Sequence, residues 1–349
     1  MELLFVADPL ESFNVKKDST FAMMREAARR GHAILACEPR DLAWRRGGRV
    51  EAPLRAIELT GEPDRWFVER TPAGTSAPRT LADTDAVLMR KDPPFDSEYF
   101  YATHLLGQAE REGARVFNSP RALRDHPEKL AILEFPEWIP PTLVARDPAT
   151  IRAFHAEHGD VILKPLDGMG GAGIFRVGRD GMNLGSIVET LNAGGTHTVM
   201  VQAYLPRIVE GDKRVLVIGG RPVPHVLARI PQGQEIRGNL AAGGKGVARP
   251  LAPEDRAIAE ALGPTLAARG LLLVGLDVIG DRLTEINVTS PTCFQELADQ
   301  TGTAVAALFL DALEAALARP VADPAPLATA PADRAALATR SADAAAPTA

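Results

Sequence analysis

Two stretches of the chain carry residue types spaced for chemistry. The first runs Val161-Ile162-Leu163-Lys164-Pro165, then Leu166-Asp167-Gly168-Met169-Gly170-Gly171-Ala172-Gly173. An apolar run ends in a lysine, and four glycines fall within the six residues 168–173. Glycine tolerates positive φ and close backbone approach, so successive N–H groups can converge on an anion, and the lysine adds a point charge. The chemistry suggested is triphosphate binding under a flexible flap, with an ordinary glycine-rich turn as the plain alternative. No Gly-Lys-Ser/Thr follows, and Ile174-Phe175-Arg176-Val177 resumes a strand instead of opening a helix. That excludes a P-loop and a Rossmann dinucleotide turn.

The second stretch is a pair of β-rich runs, 272–279 and 283–288, joined by Gly280-Asp281-Arg282. A two-residue turn would set Leu276 against Glu285. A three-residue turn sets Leu276 against Ile286, Val274 against Val288 and Asp277 against Glu285, and apolar pairing favours it. Asn287 shares the face of Glu285, because side chains alternate along a strand. Two carboxylates and an amide oxygen on one face suit Mg²⁺ bridging phosphates. The alternative, a solvent face of ordinary polar residues, is disfavoured by Thr289-Ser290-Pro291-Thr292, which reads as a polar binding loop.

The elements that must position these residues emerge from pattern. Residues 3–7 read as a buried strand, and Asp18 or Ser19 caps a helix that runs to Arg30 and stops at Gly31. Strands are predicted at 33–37, 86–89 and 114–118, with a helix from 96 to 112, and only short signals between 45 and 78. Strands alternating with helices imply a mainly parallel sheet. Arg90 and Lys91 lie at a strand's C-terminal end, where open α/β sheets bind ligands. After the connector opened by Ser119-Pro120, a short helix starts at 127–130 near a domain boundary. Strands at 142–145, 198–203, 212–218 and 223–230 and helices at 148–158, 187–192 and 253–269, with a closing helix or helix pair at 294–318, complete the pattern. The glycine-rich residues 231–246 have no regular pattern and read as a functional lid.

Composition bounds the rest. The chain has 349 residues, 46% hydrophobic and 24% charged, with a formal net charge of −6. That is a globular composition with room for two or three domains, and it gives no reason to expect nucleic acid or an anionic membrane as partner. The first residues lack a basic region and are broken by Asp8 and Pro9, so they read as a strand and not a signal peptide. Two cysteines, Cys37 and Cys293, suggest a reducing, cytoplasmic setting without a disulfide framework. The seven histidines are scattered, and no Cys/His cluster has zinc spacing. Residues 319–349, mostly Ala, Pro, Asp and Thr, read as a disordered tail.

From about residue 1 to 318 the chain resembles prokaryotic glutathione synthetase of the ATP-grasp superfamily. The resemblance rests on the Lys-Pro strand, the Asp167-Gly168-Met169-Gly170-Gly171 loop, Asp212-Lys213-Arg214, Arg229-Ile230-Pro231-Gln232-Gly233 and Glu285-Ile286-Asn287-Val288-Thr289-Ser290-Pro291. It extends to Asn14-Val15-Lys16-Lys17-Asp18-Ser19 and Met89-Arg90-Lys91-Asp92-Pro93-Pro94-Phe95-Asp96. It implies an ATP-grasp fold at 123–318 behind an N-terminal α/β domain with a parallel sheet at 1–122. The implied reaction joins γ-glutamylcysteine and glycine at the expense of ATP, through an acyl phosphate. Lys129 and Lys164 would then hold phosphates under Gly168, Gly170 and Gly171. Gln202, Tyr204 and Leu205 would cradle adenine, and Asp277, Glu285 and Asn287 would bind two Mg²⁺, with Mn²⁺ as a substitute. Arg214 and Arg229, joined by Asn239 from the lid, would stabilise the acceptor carboxylate and the transition state. Ser290, Thr292, Lys17 and Arg90 would grip substrate carboxylates. A homo-oligomer, dimer or tetramer, is also implied. Two rivals stay open. One is a sister ATP-grasp ligase acting on D-alanine or adding glutamate to a peptide. The other is a non-catalytic ATP-binding module, which would show gaps in the metal set or the arginines.

Overall fold

The computed structural model describes residues 1–70 and 77–319. The tail expected to be disordered lies outside the described residues, apart from Arg319. The first sheet is built on Glu2–Val6, which pairs in parallel with Ala33–Cys37 on one side and Ala86–Met89 on the other. Val116–Phe117 extends it in parallel. The opposite edge departs from the expected parallel sheet: Arg55–Leu59 and Phe67–Glu69 add in antiparallel fashion beyond Ala33–Cys37. These strands are short and only partly buried, which is why the 45–78 segment gave weak signals. Asp18 caps helix Ser19–Arg29 by accepting the Phe21 amide at 2.7 Å, and Asp96 caps Ser97–Arg111 by accepting the Tyr99 amide at 2.8 Å.

The connector after Ser119 is a short helix, Pro120–Asp125, with proline at its first position, where no N–H is needed. The helix expected at 127–130 is a turn instead. The amides of Leu130 and Ala131 both close on the Pro127 carbonyl at 2.8 Å, and a 3₁₀ turn, Ala131–Glu134, comes next.

The second sheet is antiparallel, in the order Phe175–Val177, Val161–Pro165, Val199–Ala203, Thr142–Ala145. Its apolar face, with Val161, Leu163, Val199 and Val201, packs on Ile151 and Val188 of helices Pro148–His158 and Leu184–Asn192. The third sheet runs Lys245–Pro250, His225–Ile230, Asp212–Ile218, Leu273–Ile279, Arg282–Asn287. The lid is therefore shorter than expected: Gly246 pairs with Arg229 and Lys245 with Ile230, so strand resumes at Lys245. Apolar residues of the first sheet (Leu4, Val6) and the third (Val215, Leu276) belong to one continuous core.

Candidate active site

The acidic hairpin has the expected partners through a different turn. Leu276 faces Ile286 and Asp277 faces Glu285, but Ile279 faces Arg282 and Val278 faces Leu283. The turn is thus the two-residue Gly280-Asp281, and a bulge next to Asp277 restores the apolar register. A bulge inserts one unpaired residue into one strand, and it is over-represented beside active sites.

Strand pairing places charges opposite each other. Asp212 lies opposite Arg229, and Arg214 lies opposite Asp277. Arg214 Nε donates to Asp277 Oδ1 at 2.6 Å, and Arg229 Nη2 reaches Asp277 Oδ2 at 2.9 Å and Asp212 Oδ2 at 2.5 Å. Asp277 is only 2% exposed. Burial alone would raise its carboxyl, but the two guanidiniums outweigh that and hold it below the ordinary carboxylate range. Burial, with the Asp277 charge adding to it, pushes the Asp212 carboxyl upward against the pull of Arg229. Asp212 went unassigned in the sequence, although it sits two residues before Arg214 and so shares its face.

The glycine loop closes on the other side. Lys129 Nζ donates to the Gly168 carbonyl at 2.5 Å and lies 3.1 Å from Glu285 Oε1. Lys164 Nζ donates to the Thr284 carbonyl at 3.2 Å, and burial lowers its pKa. From the lid, Arg237 Nη1 donates to the Gly171 carbonyl at 3.1 Å. Gly171 has φ +85, which favours glycine, and a Cβ there would come within 2.7 Å of Asn239 Oδ1 and push that side chain aside. Asn287 Nδ2 donates to the Gly275 carbonyl at 3.2 Å, which leaves its amide oxygen to accept.

These groups line one cavity of about 390 Å³, together with Gly170, Gln202, Tyr204, Leu205, Lys17, Ser290 and Thr292. Gln202 Nε2 donates to Thr142 Oγ1 at 3.1 Å, and the Tyr204 ring carries the Arg176 guanidinium 3.7 Å from its centroid. Arg90 is the one expected site residue that the structure keeps off the wall. It is buried at 5% exposure, with Nε donating to Thr20 Oγ1 at 3.1 Å and Nη2 to the Pro291 carbonyl at 3.2 Å. Contacts with the start of helix Ser19–Arg29 and with Pro291 hold the side chain inward, behind residues 289–292. Sequence reasoning also missed Glu128, Arg237 and Glu296 on the cavity wall; for Glu128 the adjacent Lys129 was the available signal.

Comparison with known proteins decides the family. The prokaryotic glutathione synthetase N-terminal domain matches residues 1–124, and the prokaryotic glutathione synthetase ATP-grasp domain matches 128–302. The chain belongs to the prokaryotic glutathione synthetase family. It is 61% identical over 318 residues to a glutathione synthetase of Ralstonia nicotianae, covering 90% of this chain and 96% of that one. It is 58% identical over 322 residues to the glutathione synthetase of Nitrosomonas europaea, covering 91% and 99%. The fold is the ATP-grasp fold. A solved ATP-grasp ligase, PsnB, complexed with a phosphomimetic variant of its minimal precursor, Mg and ADP, aligns with a TM-score of 0.57 at 21% identity, over 90% of this chain and 97% of that one.

Proposed function

We propose that this member of the glutathione synthetase family is an ATP-dependent ligase that joins γ-glutamylcysteine to glycine and releases ADP and phosphate. The supporting observation is a single cavity wall. It bears two buried lysines, a glycine loop under a lid, and an Arg-Asp-Arg cluster beside Glu285 and Asn287.

A carboxylate is a poor electrophile, and transfer of the γ-phosphate turns it into an acyl phosphate that the glycine amine attacks. Such a transfer needs positioning and charge neutralisation, not a protein nucleophile. Lys129 and Lys164 hold the phosphates and residues 168–173 cover them. Gln202, Tyr204 and Leu205 cradle the adenine. Arg214 and Arg229 face the charge that develops at the acceptor carboxylate, and Asn239 joins them from the lid. Lys17, Ser290 and Thr292 grip the dipeptide, while Arg90 supports the loop of Ser290 and Thr292 from behind. The closed lid keeps water from an intermediate that water would destroy.

The donor set fits Mg²⁺. Among the described residues no three His, Cys, Asp or Glu side chains form a metal cage. Mg²⁺, however, is usually held by one or two carboxylates plus substrate phosphates. Asp277, Glu285 and the amide oxygen of Asn287 supply that set, and Mn²⁺, which also takes hard oxygen ligands, substitutes. When bound, the metal neutralises phosphate charge during transfer. The domains divide at 122/123, and the chain works as a homo-oligomer in the cytoplasm; among the described residues no helix is long and apolar enough to cross a membrane.

The test is ADP release with Mg²⁺, ATP and γ-glutamylcysteine, with and without glycine, and with D-alanine as control. Glycine-dependent release that yields glutathione is expected. Release only with another acceptor would move the function to a sister ligase, and ATP binding without any release would favour a non-catalytic module.

A further inference from the structure

Glu128 and Lys129 are neighbours in one turn but serve different partners. The Glu128 backbone carbonyl accepts the Ile286 amide at 2.9 Å, which fastens the turn to the acidic strand. Its side chain reaches past the end of that strand. Oε1 accepts the Val288 amide at 2.9 Å, the Thr289 amide at 3.1 Å and the Thr289 hydroxyl at 2.8 Å. Successive backbone N–H groups converging in this way make an anion-binding concavity. Here the anion is the protein's own carboxylate.

The residues just beyond Thr289 give the contact its meaning. Ser290 and Thr292 lie on the cavity wall, and Pro291 between them offers its carbonyl to Arg90. The loop is thus pinned at its start by a carboxylate and at its middle by a guanidinium. Neither anchor is a side chain of the loop itself. Charge-assisted hydrogen bonds are shorter and about twice as strong as neutral ones, so a carboxylate holds these amides where a neutral acceptor would leave slack.

We propose that Glu128 is the positioning residue for the dipeptide-binding loop, setting where Ser290 and Thr292 present their hydroxyls. This rests on the dipeptide-gripping role proposed for Ser290 and Thr292. One turn then serves both halves of the site: Lys129 acts on the nucleotide side and Glu128 on the dipeptide side.

Steady-state kinetics of Glu128→Gln, Thr289→Val and Ser290→Ala test it. Glutamine keeps an acceptor and removes the charge. Partners that orient metal ligands typically cost ~10–100-fold when changed, and the same scale is applied to a carboxylate that orients a loop. The expected result for Glu128→Gln is a KM for γ-glutamylcysteine raised by about tenfold, with the KM for ATP unmoved. Thr289→Val removes one donor without touching a charge and shifts the same constant in the same direction by less; it tests the idea even if Glu128→Gln does not fold. The double variant falls short of the product of the two effects, because both changes break one contact. An equal rise in both KM values, or a lowered melting temperature with both KM values unchanged, would overturn the inference. Ser290→Ala separates it from its premise. If Ser290→Ala raises the dipeptide KM while Glu128→Gln and Thr289→Val do not, the positioning role is wrong. If Ser290→Ala leaves it unchanged, the dipeptide-gripping role of the loop is wrong.

Discussion

Asp277→Asn should destabilise the protein by about 3 kcal/mol, even before any loss of activity is considered. The carboxylate is buried and paired with two guanidiniums, Arg214 at 2.6 Å and Arg229 at 2.9 Å. At an effective dielectric near 20, each such pair is worth about 4 kcal/mol gross, most of which offsets desolvation. Removing one partner does not return the desolvation cost of the others, so breaking a buried pair typically costs ~3–5 kcal/mol. The lower end applies here because Arg229 keeps Asp212 at 2.5 Å. Asp212 also responds. The Asp277 charge helps to raise its carboxyl, so losing that charge lets Asp212 ionise more fully and compensate Arg229. Arg214 has no such second carboxylate among its ion pairs between described residues. At ~2–4 °C per kcal/mol for a domain of this class, melting should fall by roughly 6–12 °C. Thermal unfolding of Asp277→Asn, Arg214→Gln and the double variant measures it, and the double should be far less destabilised than the sum of the singles. A melting temperature equal to the parent's, or strict additivity, would refute the reasoning.

Three further outcomes are expected. Glu285→Ala should lower turnover by at least ~10²-fold, as loss of one oriented charge in such a site does; it also strips the buried Lys129 of its partner at 3.1 Å, so melting falls, though by less than for Asp277→Asn because the Glu285 side chain is 20% exposed; normal turnover would sink the metal assignment. Arg176→Ala removes the cation over the Tyr204 face, whose contribution is ~0.5–2 kcal/mol, so the KM for ATP should rise by a few-fold while that for γ-glutamylcysteine stays put. Lys164 is held by burial below the ordinary lysine pKa. Phosphate binding favours its charged form, so ATP binding takes up a proton and weakens as pH rises through that lowered pKa. Calorimetric titration from neutral to alkaline pH in two buffers of different ionisation heat would read this, and an ATP affinity independent of pH would contradict it.

The hairpin shows what the sequence could and could not carry. Apolar complementarity identified Leu276 with Ile286 and Asp277 with Glu285, and both pairings hold. The mechanism differed, because alternation fixes which residues want to meet but not how the chain absorbs the extra residue. A two-residue turn plus a bulge satisfies the same preference. Local signals placed Ala33–Cys37, Thr142–Ala145, Pro148–His158 and Asp212–Ile218 at their observed limits. They failed for Arg55–Leu59 and Phe67–Glu69, which owe their existence to pairing with other strands and not to their own pattern. Arg90 failed for a related reason. Its place at a strand end was legible, but whether its side chain faces the cavity depends on Thr20 and Pro291, one far before it and one far after.

The pairing of Arg214 with Asp277 was invisible for the same reason and has the largest consequence. Six cations on the wall, Lys17, Lys129, Lys164, Arg214, Arg229 and Arg237, stand against six carboxylates, Asp92, Glu128, Asp212, Asp277, Glu285 and Glu296. Strand register sets Asp212 across from Arg229 and Arg214 across from Asp277, and cross-strand opposite charges stabilise a sheet. The arrangement therefore leaves the wall close to neutral, with no large positive surplus to draw in a bare polyphosphate. A nucleotide that arrives with its own divalent cations suits such a wall far better than one that arrives without them. Asp277 balances both arginines and also belongs to the set proposed to hold those cations. The electrostatics that hold the third sheet together thus also favour the metal–nucleotide complex over free ATP.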